Sequence, residues 1–373
     1  MKILAFYLPQ FHAIKENDEW WGKGFTEWTN VKSSEPTFKG HAQPRIPLDG
    51  NYYNLLDVNT LKWQAGIAKK HGIYGFVYYH YWFSEGMLLE KPAELMLRTP
   101  EVDMPFCFCW ANHTWRRAWA NKSDAVLREQ TYGNEEEWTR HFYYLLPFFR
   151  DKRYIQVDGK PLMVFYNPYG VKEFPPMIDL WKKLALKEGL PGLTICHQEN
   201  RFNHEAPENK PYYDYGIEFQ MNAAVHEFVA HSKKFAAERF LNRIADKLPF
   251  LRCEATTMHY TYDEIWQLVL KKQPSGPTWF PGAFVDWDNT PRRKNRGQLC
   301  TGVTPEKFHK YLSEQIRRTR EVYHKDYLFM FAWNEWGESG YLEPDELYGY
   351  KMLEAVRDAL NENNEFPVYP SFK

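Results

Sequence analysis

The stretch YLFMFAWNEWGE, residues 327–338, joins a short apolar run to a polar and aromatic ending. The run 327–332 carries large apolar side chains at nearly every position, which predicts a strand buried on both faces. Similar runs recur along the chain and give eight predicted strands: 2–7, 74–79, 105–110, 162–166, 193–197, 216–219, 282–286 and 327–332.

Helix-like segments lie between several of these strands, at 60–71, 135–149, 176–188 and 305–324. A strand followed by a helix, repeated eight times, is typical of a closed parallel barrel of the (β/α)8, or TIM, type. We therefore predict an α/β fold with a single barrel domain over residues 1–373. The long charged segment 222–273 is predicted to form a helical insertion between strands six and seven.

Composition narrows the class of partner. The chain has 373 residues with 47 Lys and Arg against 48 Asp and Glu, so its net charge of −1 gives no reason to expect nucleic acid. Aromatic residues make up 18% of the chain, with 15 Trp and 25 Tyr, which suits both a dense core and stacking on sugar rings. We expect a polysaccharide or oligosaccharide partner, and oligomeric state stays open.

The cysteines and the N-terminus bear on compartment. The five Cys are scattered without metal-site spacing, so free thiols are expected, with no metal and no cofactor. No segment reaches the roughly 18 apolar residues that a membrane span needs. The first residues do not have the form of a signal peptide. The sequence as written predicts a cytoplasmic protein, or a periplasmic one if a signal has been removed.

The loops after the strands carry the candidate binding residues. Active sites of such barrels lie at the carboxyl ends of the strands. The residues there are mostly amides, carboxylates and aromatic rings, which suit a sugar-binding cleft, and Tyr7, His80, Trp110, Tyr166 and Glu335 are expected near one rim. The predicted substrate-binding residues are Tyr7, Trp20, Trp21, Trp28, His80, Trp82, Trp110, Asn112, Trp115, Tyr166, Asn167, Glu199, Asp286, Asp288, Asn289, Arg292, Asn334 and Trp336.

Glu335 and Glu338 are the predicted catalytic residues. They lie just past the eighth strand, three positions apart, where a turn can aim both into one cleft. Cleavage of a glycosidic bond uses two carboxyl groups, and their proximity raises the pKa of one of them. The alternative is that one of these glutamates caps a helix or pairs with a surface arginine.

The pattern Asp286-Trp287-Asp288 has a second interpretation. A D-x-D motif holds Mn²⁺ and a nucleotide sugar in many glycosyltransferases, but three-residue patterns often arise by chance. We favour Asp286, Asp288 and Asn289 as groups that bond sugar hydroxyls. The nearby Arg292, Arg293 and Arg296 either orient these carboxylates, meet an acidic sugar, or form a solvated basic loop.

Four long motifs resemble the WbsX family: FYLPQFH at 6–12, NDEWWGKGFTEWTNV at 17–31, WDNTPR at 287–292 and WNEWGE at 333–338. The resemblance spans the whole chain. Members of that family are often labelled glycosyltransferases of polysaccharide gene clusters, and they resemble glycoside hydrolase family 99, the endo-α-mannosidases, which are (β/α)8 barrels.

The resemblance to family 99 implies roles for the two glutamates. In the family's Asn-Glu-Trp-x-Glu segment the first Glu acts as base on the sugar 2-hydroxyl and yields a 1,2-anhydro intermediate, and the second acts as general acid, then base. These roles fall on Glu335 and Glu338. Gly337 stands where family 99 usually has His, which puts the substrate contacts there in doubt.

Three functions remain open from the sequence. The first is a retaining glycoside hydrolase that acts on an α-linked, mannose-like polysaccharide. The second is a glycosyltransferase of polysaccharide biosynthesis, such as O-antigen or capsule. The third, a non-catalytic glycan-binding barrel, leaves the two glutamates unused. The sugar, its linkage, and endo or exo action are not determined by composition.

Overall fold

The computed structural model describes residues 1–117, 125–169, 171–199, 207–225 and 256–372, with a few isolated residues between the last two ranges. The strands of its main sheet are β1 Lys2–Tyr7, β2 Ile73–Phe83, β3 Phe106–Trp110, β4 Lys160–Phe165, β5 Thr194–Glu199, β6 Tyr215–Glu218, β7 Trp279–Phe280, β8 Gly282–Phe284 and β9 Tyr327–Phe331. They pair in the order β7-β6-β5-β4-β3-β2-β1-β9-β8, and each of these pairs is parallel.

The barrel is closed through its seventh strand, which Pro281 divides into β7 and β8. The first part pairs with β6 and the second pairs with β9. Proline has no N–H to donate to a ladder, so pairing is interrupted there. The Pro281 carbonyl still accepts a hydrogen bond from Phe329 N at 3.1 Å. The predicted (β/α)8 barrel is confirmed, with an interrupted seventh strand.

Helices follow the strands and cover the barrel. In chain order they are α1 Lys15–Trp21, α2 Glu27–Lys32, α3 Val58–Lys70, α4 Lys91–Arg98, α5 Glu135–Phe149, α6 Phe174–Lys187, α7 Asn222–Ala224, α8 Tyr262–Lys271, α9 Thr290–Arg293, α10 Pro305–Glu321 and α11 Lys351–Glu362. Two of their N-terminal ends carry ordinary caps: the Asn134 side chain accepts from two backbone N–H groups of α5, and the Thr304 side chain accepts from one, Lys307 N, of α10.

Part of the predicted insertion belongs to the helix layer of the barrel. Trp266 of α8 stacks on Phe284 of β8 with ring centroids 5.1 Å apart, and on Tyr311 of α10 at 5.7 Å. The strand Met258–Thr261 pairs with Gln298–Thr301 beside it. Most of 226–255 lies outside the described residues, so the insertion over 222–273 as a whole stays a prediction.

Alternation along the strands decides which side chains face the barrel interior. On β1, the Phe6 ring contacts Phe219, which follows β6 across the barrel, and Phe329 of the neighbouring β9, with ring centroids 5.3 and 6.1 Å apart. Tyr7 faces the other way and donates to Gln64 of α3 at 2.7 Å. Successive side chains point to opposite faces of a strand. One residue therefore separates a position that faces the interior from one in the helix layer.

Candidate active site

One guanidinium group holds three carboxylates at the carboxyl end of the barrel. Arg292 donates from Nε to Glu27 Oε1 at 2.8 Å, and its Nη2 lies 3.1 Å from Glu335 Oε2. Its Nη1 lies 2.8 Å from Glu338 Oε1. We call Glu27, Glu335 and Glu338, joined by Arg292, the carboxylate cluster. It unites α2, α9 and the turn after β9.

Burial differs among the members of the carboxylate cluster. The side chain of Glu27 is 0% exposed, Glu335 is 7%, Arg292 is 10% and Glu338 is 21%. Glu338 ends the short 3-10 turn Trp336–Glu338, and its carbonyl accepts from Asp288 N at 2.8 Å. Of the two predicted catalytic residues, Glu338 is therefore the one more open to a ligand.

Burial raises the pKa of Glu335 to about 8, against the effect of Arg292, while Glu338 and Glu27 raise it further. Tyr79 and Tyr81 of β2 lie close to the same carboxyl, and burial together with its charge raises their pKa as well. The two tyrosines are thus neutral neighbours. Burial therefore favours the protonated form of the Glu335 carboxyl.

The raised pKa of Glu335 predicts that the free energy of unfolding depends on pH. A glutamate with its pKa at 4.5 when unfolded and about 8 when folded takes up a proton on folding, so stability is lost as pH rises between these values. We expect Glu335→Gln to remove this pH dependence. Between pH 5 and pH 9 the free energy of unfolding of the wild type should fall, relative to that of the variant, by on the order of several kcal/mol. Urea unfolding across that range measures it. Parallel curves for the two proteins would contradict the expectation.

Asn334 and Trp336 hold the turn that carries the two glutamates. The Asn334 amide accepts from Leu8 N at 2.7 Å and donates to Leu8 O at 3.0 Å, which ties the turn to the end of β1. The Trp336 ring stacks on Tyr341 with centroids 3.7 Å apart, and both residues are buried. Asn334 and Trp336 were both predicted to bind substrate, and the contacts described for them are with other parts of the protein.

Glu343 lies beneath this turn in a buried network. It accepts hydrogen bonds from Trp336 Nε1, Tyr53 and Gln64, each at 2.7 Å, and Gln64 in turn accepts from Tyr7. Burial raises the pKa of Glu343 to about 7. Tyr7 was predicted to bind substrate. Its side chain is 0% exposed, and it belongs to the buried hydrogen-bond network around Glu343.

Gly337 is needed because the carboxylate cluster packs against it. A Cβ at this position would collide with Glu27 Oε1 and would come within 2.7 Å of Arg292 Nε. Tight packing of this kind leaves no room for even one methyl group. The glycine that departs from the family 99 pattern is thus explained by the neighbouring Glu27–Arg292 pair.

Asp288 positions α9, and with it Arg292. Its Oδ1 accepts from Thr290 N at 3.0 Å and from Thr290 Oγ1 at 2.6 Å. Its Oδ2 accepts from Gln43 Nε2 at 2.6 Å and lies 2.8 Å from His41 Nε2. Each carboxylate oxygen has two partners, so the described contacts of Asp288 are with protein groups.

Asp286 and Asn289 are engaged in the same way. Asp286 accepts from Arg45 Nη2 at 2.8 Å and from Trp287 N at 2.6 Å, and burial raises its pKa to about 6. The Asn289 side chain accepts from Gln298 N at 2.8 Å. Both side chains are buried, and these bonds hold the loop that follows β8.

His80, Trp82 and Trp110 point into the helix layer. The Trp82 ring stacks on His141 of α5 at 4.1 Å, and His80 Nε2 lies 2.8 Å from His141 Nε2. Trp110 packs edge-on against His141 at 4.7 Å. Strand β2 extends to Phe83, beyond the predicted end at 79, so His80 and Trp82 are outward strand residues.

The other predicted aromatic residues are divided between core and rim. Trp28 is buried and donates from Nε1 to Tyr53 O at 2.8 Å. Trp20 and Trp115 contact each other at 5.9 Å and are partly exposed, and Trp115 also packs on Tyr81 at 5.0 Å. Trp21 is partly exposed on the same helix, α1. These three remain the candidates for stacking on a sugar.

Asn112, Tyr166, Asn167 and Glu199 lie at the ends of β3, β4 and β5. Asn112 donates to Asn167 O at 2.7 Å and accepts from Asn167 N at 2.7 Å, so it joins two loops. Asn167 Oδ1 is buried and has no hydrogen-bond partner among the described residues. Tyr166 and Glu199 are partly exposed, which leaves their predicted binding roles open.

Glu27, Tyr79 and Tyr81 are site residues that the sequence analysis did not select. Glu27 lies within the motif at 17–31, but nothing in that motif links it to Arg292, which is 265 positions away. Tyr79 and Tyr81 could have been found from alternation, because a correct end for β2 puts odd-numbered residues on the inner face. Strand alternation could therefore have predicted Tyr79 and Tyr81 as site residues, whereas no local pattern predicts the contact of Glu27 with Arg292.

The described part of the chain has neither a metal-binding cluster nor a helix that could span a membrane. No group of three or more His, Cys, Asp and Glu residues there could hold a metal ion. No described helix is long and apolar enough to cross a membrane. The expectations of no metal and no cofactor remain predictions.

Two solved structures with a similar fold are described as a glycoside hydrolase and as a glycoside hydrolase-like protein. The endo-alpha-mannosidase of family GH99 from Bacteroides thetaiotaomicron is 12% identical, covers 97% of each chain and has a TM-score of 0.53. A structure described as a glycoside hydrolase-like protein is 11% identical over 98% of this chain and 94% of its own, with a TM-score of 0.53. At these identities the likeness concerns the fold, which is one used by carbohydrate-active enzymes.

Sequence relatives define the family. The uncharacterized protein WxcX of Xanthomonas campestris pv. campestris is 31% identical over 365 residues, which is 96% of this chain and 49% of that protein. The chain thus spans about half the length of the curated relative. The family profile described as "Glycosyltransferase WbsX" matches residues 3–356. The chain therefore belongs to the WbsX family.

Proposed function

We propose that this chain is a retaining glycoside hydrolase that cleaves an α-linked, mannose-like glycan with Glu335 and Glu338. The observation that carries the proposal is the bridging of both carboxylates by Arg292 at the carboxyl end of the barrel. Barrel enzymes have their active sites at this end. Two adjacent carboxyl groups, one protonated and one ionised, are what glycoside cleavage requires.

The proposed steps follow the resemblance to family 99. Glu335 removes the proton of the 2-hydroxyl, and that oxygen attacks C1 while Glu338 gives its proton to the departing oxygen. The C1–O bond to the leaving group breaks and a 1,2-anhydro sugar forms. Water then attacks C1 as Glu338 takes its proton, and Glu335 returns a proton to O2. Two inversions at C1 give retention.

The proton of the free protein supports this pairing. Cleavage needs one proton shared by the two glutamates, and the burial that raises the pKa of Glu335 favours one proton on the pair near neutral pH. The resemblance to family 99 assigns that proton to Glu338 in the reacting complex. The same burial makes ionised Glu335 a stronger base, since basicity rises with pKa, and a sugar hydroxyl gives up its proton only to a strong base.

The substrate proposal rests on the fold relative and on the cluster. The Bacteroides protein is described as an endo-alpha-mannosidase, which suggests an α-mannoside or a related glycan. Arg292, a candidate for binding an acidic sugar, already meets three carboxylates, so we do not assign it to a substrate carboxylate.

Transfer of a sugar from a nucleotide donor is the second candidate, because the family carries that description. A screen against defined bacterial polysaccharides, with and without nucleotide sugars and with products identified by mass, separates the two. Shorter glycans that form without a nucleotide sugar support hydrolysis. Products that form only with a nucleotide sugar would refute it.

A chelator test addresses the D-x-D motif. Asp286 and Asp288 accept hydrogen bonds from protein groups, so we expect the activity found in the screen to survive an excess of EDTA. Turnover before and after chelation is the measurement. Loss of turnover that Mn²⁺ restores would reassign these two residues to metal binding.

A further inference from the structure

Glu27 is buried in a way that needs explanation. It is the first residue of α2, is 0% exposed, and its backbone N donates to Gln10 O at 2.9 Å. Its Oε1 accepts from Arg292 Nε, but its Oε2 is buried and has no hydrogen-bond partner among the described residues. Burying a carboxylate with one oxygen unsatisfied costs free energy. The chain retains it next to the predicted catalytic pair.

The contact with Nε controls the direction of the other donors. A guanidinium is planar and presents its donors in a fixed fork. With Nε held by Glu27, Nη2 points to Glu335 and Nη1 points to Glu338. Gly337, between these two glutamates in the chain, packs directly against the Glu27–Arg292 pair. The Glu27–Arg292 pair therefore contacts the turn 335–338 in two ways. It packs against Gly337, and Arg292 binds both Glu335 and Glu338.

We propose that Glu27 is a positioning residue for the catalytic pair: its carboxylate holds Arg292, and through Arg292 it fixes the orientation of Glu335 and Glu338. The inference rests on the proposed function, because it assigns chemistry to those two residues. Glu27 itself is not assigned a contact with the sugar.

The charge of Glu27 also acts on Glu335 directly. The groups that face it are Arg292, Glu338, Glu27, Tyr79 and Tyr81. After burial, the pKa of Glu335 is lowered by Arg292 and raised by Glu338 and Glu27. Tyr79 and Tyr81 are neutral. Removing the charge of Glu27 should therefore weaken the hold of Glu335 on its proton.

A double-mutant cycle tests the charge. The wild type, Glu27→Gln, Glu335→Gln and the double variant are unfolded with urea from pH 5 to 9, and the coupling between the two sites is taken at each pH. We expect coupling that grows as Glu335 ionises, with the midpoint of its titration about one pH unit lower in Glu27→Gln. A purely structural Glu27 would give a coupling independent of pH, and that result would overturn the proposal.

Kinetics test the positioning on the glycan found in the screen. Glu27→Gln keeps an oxygen for Arg292 Nε but not the charge, whereas Glu27→Asp keeps the charge and shortens the reach. We expect Glu27→Asp to lower kcat on the order of 10- to 100-fold with little change in KM, because small displacements of catalytic groups are costly. Near-normal kcat in Glu27→Asp would overturn the positioning role.

The controls separate this inference from the proposed function. Glu218, on β6, is another buried carboxylate, and it accepts hydrogen bonds from Tyr323 and Ser275. Glu218→Gln removes its charge and should leave kcat unchanged. If Glu335→Gln and Glu338→Gln keep normal turnover, the proposed function fails. If those two lose turnover while both Glu27 variants match the wild type in kcat and the coupling is flat with pH, only the role of Glu27 fails.

Discussion

Replacing Glu338 with Gln is expected to reduce turnover on the order of 10²- to 10⁴-fold, while a sugar ligand still binds. Glutamine keeps the size and hydrogen-bonding shape of the side chain but has no acidic proton. Glu338 is the more exposed of the pair, at 21%, so the change should disturb packing little. Glu335→Gln should lower turnover as strongly, because an amide cannot accept the proton of the 2-hydroxyl. Initial rates on the glycan identified by the screen provide the measurement.

The two variants should respond differently to the leaving group. A substrate with a good leaving group departs without protonation, so it should partly restore the rate of Glu338→Gln. It should restore Glu335→Gln less, since that residue acts on the 2-hydroxyl. The reverse pattern would exchange the two roles. Near-normal turnover in both variants on the true substrate would show that the pair is structural.

Replacing Arg292 with Ala is expected to be the most destabilising change in the site, by about 3–5 kcal/mol. It leaves Glu27, Glu335 and Glu338 close together without their shared positive charge. The loss should be larger at pH 9 than at pH 6, because Glu335, with its pKa near 8, ionises between them. Arg292→Lys should recover only part of the stability that Arg292→Ala loses, since an ammonium lacks the planar fork that binds three partners. Urea unfolding at the two pH values measures the effect.

Arg317 offers a matched control. It also pairs with two glutamates, Glu314 and Glu321, but its side chain is 49% exposed on α10. Exposed ion pairs of this kind contribute about 0–1 kcal/mol, so Arg317→Ala should change stability little at either pH. If Arg292→Ala were no more destabilising than Arg317→Ala, the carboxylate cluster would not be held by its arginine.

The binding residues show how far rim positions can be read from a sequence. The loops after the predicted strands contain Arg292, Glu335 and Glu338, yet Tyr7, His80, Trp82 and Trp110 face the helix layer. The predicted end of β2 at 79 is four residues short of Phe83. Alternation then assigns Tyr79 and Tyr81, not His80 and Trp82, to the interior.

The acidic residues after β8 show a different limit. Asp286, Asp288 and Asn289 were reasonable as sugar-binding groups, because they are polar and follow a barrel strand. Their partners are Arg45, Gln43, His41 and Gln298, which come from a distant loop and from the adjacent strand. A sequence does not reveal that such groups will be used to hold a loop, since the partner is chosen by tertiary packing.

The barrel and the place of the two glutamates at the end of its last strand follow from local patterns in the chain. Runs of apolar residues long enough for a strand, each followed by a helix, leave few folds that bury them all. The end of the last run puts Glu335 and Glu338 at the carboxyl rim. Both features depend on residues close together in the chain.

The groups that surround the two glutamates depend on how the whole chain folds. Arg292 reaches Glu27, Glu335 and Glu338 because closing the barrel brings together the loops after β1, β8 and β9. Glu27 lies 265 positions from Arg292 in the chain, and Glu335 lies 43 positions from it. Burial then raises the pKa of Glu335 and leaves room only for glycine at position 337. Ion pairing, desolvation and close packing depend on distances in space, which the spacing of residues along the chain does not specify.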